Sequence, residues 1–217
     1  MKYTGRILGL TLTILFIIAV RIYAYFYLNY PVTAPPLPGL IALTFAYWAG
    51  KKYDQVKFYS ERDSLTGLYN RRMIDKLSAT TFARSHKRRE QVGLILFDCN
   101  NFKIINDTYG HNIGDLVLQA FARLLVKETR KNDVVARWGG DEFLVIVTNA
   151  DEQQMKAILQ RIELKTFELS KEFEFPISVA SGFSLHVKES EDLDTLLAEA
   201  DHMMYRQKRT TCYSIAT

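Results

Sequence analysis

The sequence predicts an α/β or α+β domain, one central sheet with surrounding helices, carried behind an N-terminal transmembrane helical hairpin. Three observations lead there. From Asp63 onward helix-type and strand-type patterns alternate, with one strand hairpin in the middle. Within that alternation Val92–Phe97, VGLILF, is an unbroken apolar run, the pattern of a strand buried on both faces. Far upstream, residues 7–20, ILGLTLTILFIIAV, carry no charge.

The N-terminal stretch comes first. Ile7–Tyr30 exceeds the roughly 20 residues a bilayer span needs, provided that Arg21 snorkels to an interface where the neighbouring tyrosines also sit. The uncharged PVTAPPLPG follows, and a second apolar segment runs to Gly50; counted from Val32 it reaches about the minimum spanning length. Lys2 and Arg6 precede the pair, and Lys51, Lys52 and Lys57 follow it. By the positive-inside rule both ends are cytoplasmic and the loop near Pro35 is external. Residues 1–50 therefore read as two transmembrane helices, about 7–30 and 32–50, of a multi-pass protein in the inner (cytoplasmic) membrane. A cleaved signal peptide is the plainer alternative, but no small-x-small cleavage site precedes the tyrosines. A buried pair of core helices finds nothing downstream to pack on. Residues 51–62, KKYDQVKFYSER, place Tyr53, Val56 and Tyr59 or Phe58 at helical spacing and read as a short helical stalk.

Residues 63–217 then form the domain. Arg71–Phe82 is helical, with Met73, Ile74 and Leu77 on one face, and Arg84–Arg89 reads as a basic surface loop. After the buried strand, Gly114–Arg130 is an amphipathic helix with Val117, Ala120, Phe121, Leu124 and Leu125 inward. Val134–Trp138 and Phe143–Thr148 are strands around a Gly-Gly bend. Glu152–Leu169 is helical through Met155, Ile158, Leu159 and Ile162; Ile177–Leu185 is a strand and Leu193–Gln207 the last helix.

Bulk composition mostly excludes. A net charge of +4 over 217 residues is too small to argue for a nucleic-acid partner. Cys99 and Cys212 are the only cysteines, so there is no disulfide framework and a reducing compartment fits.

The chemistry gathers around Arg137–Phe143, RWGGDEF. Adjacent carboxylates at a bend repel, and taken alone the stretch reads as a solvated turn. Asp98, directly after the buried strand, sits where ligands bind in open sheets, though by itself it is equally a strand-ending turn residue. The segment that starts there, FDCNNFKIINDTYGHNIGD, is dense in Asn, Asp, Gly and His and precedes a helix N-terminus, whose amides favour phosphate; Lys103 adds a positive charge. If the hairpin pairs beside this strand, Asp98 and Asp141 meet. Two carboxylates, a backbone carbonyl and phosphate oxygens make a hard, oxygen-rich Mg²⁺ site. No His or Cys cluster suggests zinc.

These motifs, with DSLTGLYNRR upstream and ADHMMYRQK downstream, resemble the GGDEF family of diguanylate cyclases over about Asp63–Lys208. The resemblance implies a fold similar to the nucleotide-cyclase palm and the condensation of two GTP into cyclic di-GMP and two pyrophosphates. It implies two Mg²⁺ per site, with Mn²⁺ as a substitute. Metal would be held by Asp98, the main-chain carbonyl of Cys99, Asp141 and Glu142. Asp141 is also implied as proton acceptor, and Asp141 with Glu142 as the catalytic pair. Gly139 and Gly140 would let the backbone approach the nucleotide. Asn106 and Asp115 match the guanine-binding pair, since a carboxylate accepts both guanine N1–H and N2–H₂, a pair that adenine lacks. His111 matches a further substrate contact, with a structural loop histidine as its rival. Phe102 and Lys103 match the loop that cradles the β- and γ-phosphates, and Lys208 the phosphate-binding lysine of the last helix.

Arg130–Asp133, RKND, matches the family's inhibitory product site, RxxD; a helix-ending charge pair is the alternative, and Arg161 is a candidate to complete the site. Two departures stand out. Asn100 replaces an aspartate, and Thr211-Cys212 replaces the usual Gly-Arg, removing a phosphate-contacting arginine for which Arg206 or Arg209 could substitute. The resemblance also implies a homodimer, because the product joins two nucleotides symmetrically. Two other readings stay open: a catalytically weak or inactive domain acting as a membrane-bound receptor for GTP or cyclic di-GMP, and a scaffold whose work lies in its N-terminal segment.

Overall fold

The structure, a computed structural model, describes residues 3–29, 31, 37–186 and 192–215, with side chains as far as Lys208, His186 excepted. The expected loop near Pro35, and the side chains of Arg209, Thr211 and Cys212, lie outside the described residues. The chain divides into two compact units, residues 1–61 and 62–217.

The first unit is a pair of helices, α1 (Thr4–Leu28) and α2 (Leu37–Glu61). They run antiparallel: Gly5 lies against Tyr53, Asp54 and Gly50, Gly9 against Ala46, and Gly39 against Ile17. Small residues let two helix backbones approach closely. Asp54 accepts hydrogen bonds from the amides of Gly5 (2.7 Å) and Arg6 (3.3 Å), satisfying donors that the first turn of α1 leaves open, and pairs with the Arg6 Nε at 3.3 Å. None of the residues of α1 is buried. Among the described residues α1 is the one helix long and apolar enough to cross a membrane. The expected second span, about 32–50, is described only from Leu37 onward. The apolar part of α2, Leu37–Gly50, covers about 21 Å at the helical rise, less than the roughly 30 Å hydrocarbon core, and Lys51 and Lys52 follow at once. The expected stalk is the same helix continued to Glu61.

The second unit is built on a five-stranded sheet of order β1-β3-β4-β2-β5. Its strands are β1 (Tyr69–Asn70), β2 (Val92–Cys99), β3 (Val134–Arg137), β4 (Glu142–Thr148) and β5 (Val179–His186). Only β1 with β3 is parallel; β3–β4, β4–β2 and β2–β5 are antiparallel. The apolar run of β2 is explained by helices on both faces. Ile95, Phe97 and Cys99 join Phe143 and Val145 under α5 (His111–Glu128) and α6 (Glu152–Phe173), through Leu118, Phe121, Leu125, Met155 and Ile162. Leu94 and Leu96 join Leu144 and Ile146 against α3 (Arg71–Arg88) and α7 (Leu193–Ile215), through Ile74, Leu196, Ala200 and Met204.

Three expectations are corrected. The basic run Arg84–Arg89 is not a loop: it completes α3, where His86, Lys87 and Arg88 face the helix's negative end, and Arg89 stops it at φ 55°. The Asn/Asp-rich segment after β2 contains a helix of its own, α4 (Phe102–Tyr109), amphipathic enough to bury Ile105. Next, α5 starts at His111, three residues early, because Gly110 at φ 86° separates two consecutive helices.

One glycine positions the last helix. At Gly182 in β5 a Cβ would collide with the Ala200 carbonyl and the Met204 amide of α7, so the helix backbone lies directly on the strand. Gln207 Oε1 accepts the Ser181 amide at 2.7 Å and fixes the same helix a turn further on.

Candidate active site

The antiparallel register of β2 and β4 decides which carboxylates meet. Asp98 stands directly opposite Glu142, not Asp141. Asp141 sits one step beyond, with its main-chain carbonyl accepting the Cys99 amide at 3.2 Å. The bend between β3 and β4 is closed by the amides of Trp138 and Gly139, both donating to the Glu142 carbonyl (2.8 and 3.3 Å). A Cβ on Gly139 would lie 2.6 Å from Glu142 Oε2, so glycine there leaves room for that carboxylate.

This corner is crowded with negative charge. Glu142 holds its proton more tightly than an ordinary glutamate, first because it is partly desolvated and then because Asp98, Asp141 and Asp201 repel its ionised form. Burial, reinforced by Asp141 and Asp98, pushes the Cys99 thiol up to about 12, so this side chain stays neutral and inert. A positive charge is already present: Lys208 of α7 places its Nζ 2.8 Å from Asp98 Oδ1. Asp201 was not anticipated as a group of this corner. The signal was available, since Asp201 and Lys208 are seven residues apart and share a helix face.

Among the described residues, no three His, Cys, Asp or Glu side chains form a ready cage for a metal ion. The donor set still fits Mg²⁺, a hard ion commonly held by one or two carboxylates with the rest of its shell from water and substrate phosphate. The uncompensated carboxylates around Glu142 are what such an ion would neutralise.

One side chain braces the bend, and sequence reading passed over it. Arg137 donates through Nε and Nη2 to the Gly140 carbonyl (3.0 and 2.6 Å) and through Nη1 to Asp63 (3.1 and 3.2 Å). Burial acts to raise the Asp63 carboxyl, but hydrogen bonds from Thr66 and the Arg137 charge outweigh it and leave its pKa below the ordinary value. Asn100, the departure from the family pattern, is tied to the segment before β5: its amide donates to the Ser178 carbonyl at 2.9 Å and its Nδ2 to Ser178 Oγ at 3.0 Å.

The nucleotide candidates lie on α4 and α5. Phe102 and Lys103 open α4, with Phe102 packed on the core and Lys103 exposed. Asn106 abuts Gly114, where a Cβ would overlap its Oδ1, and so lies beside the residue that precedes Asp115. Asp115 and His111 are both exposed in the first two turns of α5.

The RKND stretch is a tight turn. Asp133 accepts the Arg130 amide at 2.8 Å and the Thr148 amide at 3.4 Å, while its own amide donates to the Arg130 carbonyl. Desolvation lifts its pKa despite those bonds. The Arg130 side chain is exposed, and Arg161 is held by Glu128 through its carboxylate (3.1 Å) and carbonyl (2.6 Å).

Residues 60–212 match the family described as "Diguanylate cyclase, GGDEF domain". The chain belongs to the GGDEF family. The diguanylate cyclase DgcZ of Escherichia coli is 38% identical over 178 residues, 79% of this chain and 58% of that protein. DgcS of Shewanella oneidensis, also named a diguanylate cyclase, is 30% identical over 167 residues, 76% of this chain and 56% of that protein. The chain thus spans little more than half the length of these curated relatives. Among solved structures, the coiled coil and GGDEF domain of DgcB from Caulobacter crescentus, in complex with c-di-GMP, is similar with a TM-score of 0.73 and 26% identity. That match covers 81% of this chain and 96% of the other. The carboxylate corner, the braced bend and the α4–α5 pair all fall inside the GGDEF match.

Proposed function

We propose that this GGDEF protein is a membrane-anchored diguanylate cyclase that condenses two GTP into cyclic di-GMP and two pyrophosphates where two domains face each other. The observation that carries the reading is the register pairing of Asp98 with Glu142 beside the braced Gly-Gly bend. It puts surplus negative charge at a strand end, where a cation and a triphosphate complete each other.

Asp98, Asp141, Glu142 and the Cys99 carbonyl would hold the divalent cations, Mg²⁺ with Mn²⁺ as substitute. Bound there, the ions would supply charge stabilisation for the nucleotidyl transfer. Asp141 accepts the proton of the ribose 3′-hydroxyl. Asn106 and Asp115 select guanine, with His111 as a further contact. The free first-turn amides at Phe102 and Lys103, with the Lys103 ammonium, receive the outer phosphates, and Lys208 neutralises them from α7. Gly139 and Gly140 keep the bend open to the nucleotide. Asn100, engaged with Ser178, supplies no charge to the corner, which lowers affinity for the metal–nucleotide complex without removing a reacting group. One domain binds one GTP, so the working unit is a two-fold homodimer. Arg130, Asp133 and Arg161 form the inhibitory product site, with the Arg130 side chain extended toward solvent. Residues 1–50 anchor the chain, with α1 crossing the membrane and the apolar part of α2 returning beside it, so that the domain lies on the cytoplasmic side with the N-terminus.

The test is direct. The full chain in detergent, at concentrations that favour dimers, is incubated with GTP and Mg²⁺, and cyclic di-GMP is measured. Product in the wild type and none in Asp141→Ala supports the reading. GTP binding without any product in the wild type would favour the receptor alternative instead.

A further inference from the structure

Lys208 holds more than a phosphate-facing position. Its ammonium already pairs with Asp98, the carboxylate at the end of the central strand, at 2.8 Å. The Asp98 side chain is 16% exposed and that of Lys208 36%, so the pair sits at the rim, where solvent and ions reach the lysine. Glu142 at the start of β4 feels the charge of this ammonium together with those of Asp98, Asp141 and Asp201, which lies two turns earlier on α7. Lys208 is the cation in direct contact with Asp98.

The backbone behind Lys208 is fixed, while its side chain is 36% exposed at the rim. Gly182 seats α7 on β5 at Ala200 and Met204, and Gln207, the adjacent residue, is hydrogen-bonded to the Ser181 amide. The helix therefore does not have to shift for the ammonium to leave. A lysine on a four-carbon stem can swing several ångströms by rotamer changes alone. Both positive charges draw on the same carboxylate, so a divalent ion bound to Asp98 repels an ammonium held at contact distance and favours its departure.

We propose that Lys208 is a resident counter-ion of Asp98 that a divalent cation must displace, and that the freed ammonium then turns to the nucleotide phosphates. The inference rests on the metal assignment made under the proposed function. It adds an order of events: Lys208 supplies part of the counter-charge of the corner, and a cation arriving with a triphosphate exchanges places with the lysine. A cation arriving alone competes with Lys208 and gains no phosphate to receive it. The site thereby favours the metal–nucleotide complex over the bare metal ion.

The experiment measures Mn²⁺ binding to the full chain in detergent, without nucleotide, by the electron paramagnetic resonance signal of the free ion. Lys208→Met, of similar length and uncharged, should bind Mn²⁺ about tenfold more tightly than wild type because the competitor is gone. Lys208→Arg, which keeps the charge, should bind like wild type, and Asp98→Asn should bind weakly whatever stands at position 208. Circular dichroism checks that each variant is folded. The same Lys208→Met protein should bind GTP with Mn²⁺ less tightly than wild type, so the single change moves the two affinities in opposite directions. Unchanged, weakened or unmeasurable Mn²⁺ binding in Lys208→Met overturns the proposal. Failure of the cyclase reading looks different: the Mn²⁺ exchange is seen but no cyclic product forms from GTP.

Discussion

Two regions of the sheet domain use aspartate and glutamate in opposite ways. In the turns, backbone and side-chain donors converge on the carboxylates. Asp133 accepts two backbone amides, and Asp63 accepts Thr66 and both faces of a bridge from Arg137. At the strand ends Asp98, Asp141 and Glu142 face one another, and the positive charge among them is a lysine at the rim. Carboxylates that have their donors are braces, and removing one loosens the fold. Carboxylates crowded against their own kind cost stability until a cation arrives, and removing one spares the fold but takes away the chemistry.

The largest effect that tests this contrast is at Asp141. Asp141→Ala should lower the rate of product formation roughly a thousandfold, about 4 kcal/mol of barrier, with little change in melting temperature. The sheet's tie runs through the Asp141 carbonyl, which alanine keeps. Retained turnover, or a collapsed fold, would erase the distinction from this side. Asp133→Ala should do the reverse and lower stability by about 2 kcal/mol, since it strips the acceptor from two turn amides; thermal melts read it. Arg130→Ala, in the same turn but with an exposed side chain, should leave the melt unchanged and weaken product inhibition about tenfold, roughly 1.4 kcal/mol. An unchanged inhibition curve would make RKND a turn and nothing more.

The smallest effect belongs to Asp63 and depends on pH. Its pKa is lower in the folded domain than in the unfolded chain, so it contributes stability above the ordinary value of 3.8 and loses it as pH falls through the depressed folded value. Asp63→Asn should therefore cost about 1 kcal/mol at neutral pH, kept modest by solvent screening. That cost should fade as melts are taken at progressively lower pH below the ordinary value of 3.8. A cost independent of pH would mean that Arg137 is held to the bend by shape alone.

How much of this could be read in the sequence depends on the kind of signal. Val92–Phe97 announced a two-faced strand because burial on both sides demands apolar residues at every step, and the helices on both faces bear that out. The Arg84–Arg89 run was misread because charge says exposed, and an exposed helix end looks like a loop. The helix Phe102–Tyr109 was hidden by Asn106 and Asp107, which favour turns locally; here Asp107 is exposed, Asn106 packs against Gly114 and Ile105 is buried. Asp98 and the Gly-Gly bend were legible as a pair, yet only strand register could show that Glu142, one residue on, is the facing group. The Arg137–Asp63 bridge joins positions 74 residues apart and has no local pattern to betray it.

The unbroken run of α2 from Leu37 to Glu61 has a consequence of gearing. With 3.6 residues per turn, one residue added between Lys51 and Glu61 would turn the rest of that helix by about 100° and lengthen it by about 1.5 Å, whereas seven would return it to within roughly 20° and lengthen it by about 10 Å. In this stretch length is phase. A helix altered there keeps all its side chains and changes the face on which the later ones stand, so insertions of one and of seven residues are different mutations in kind.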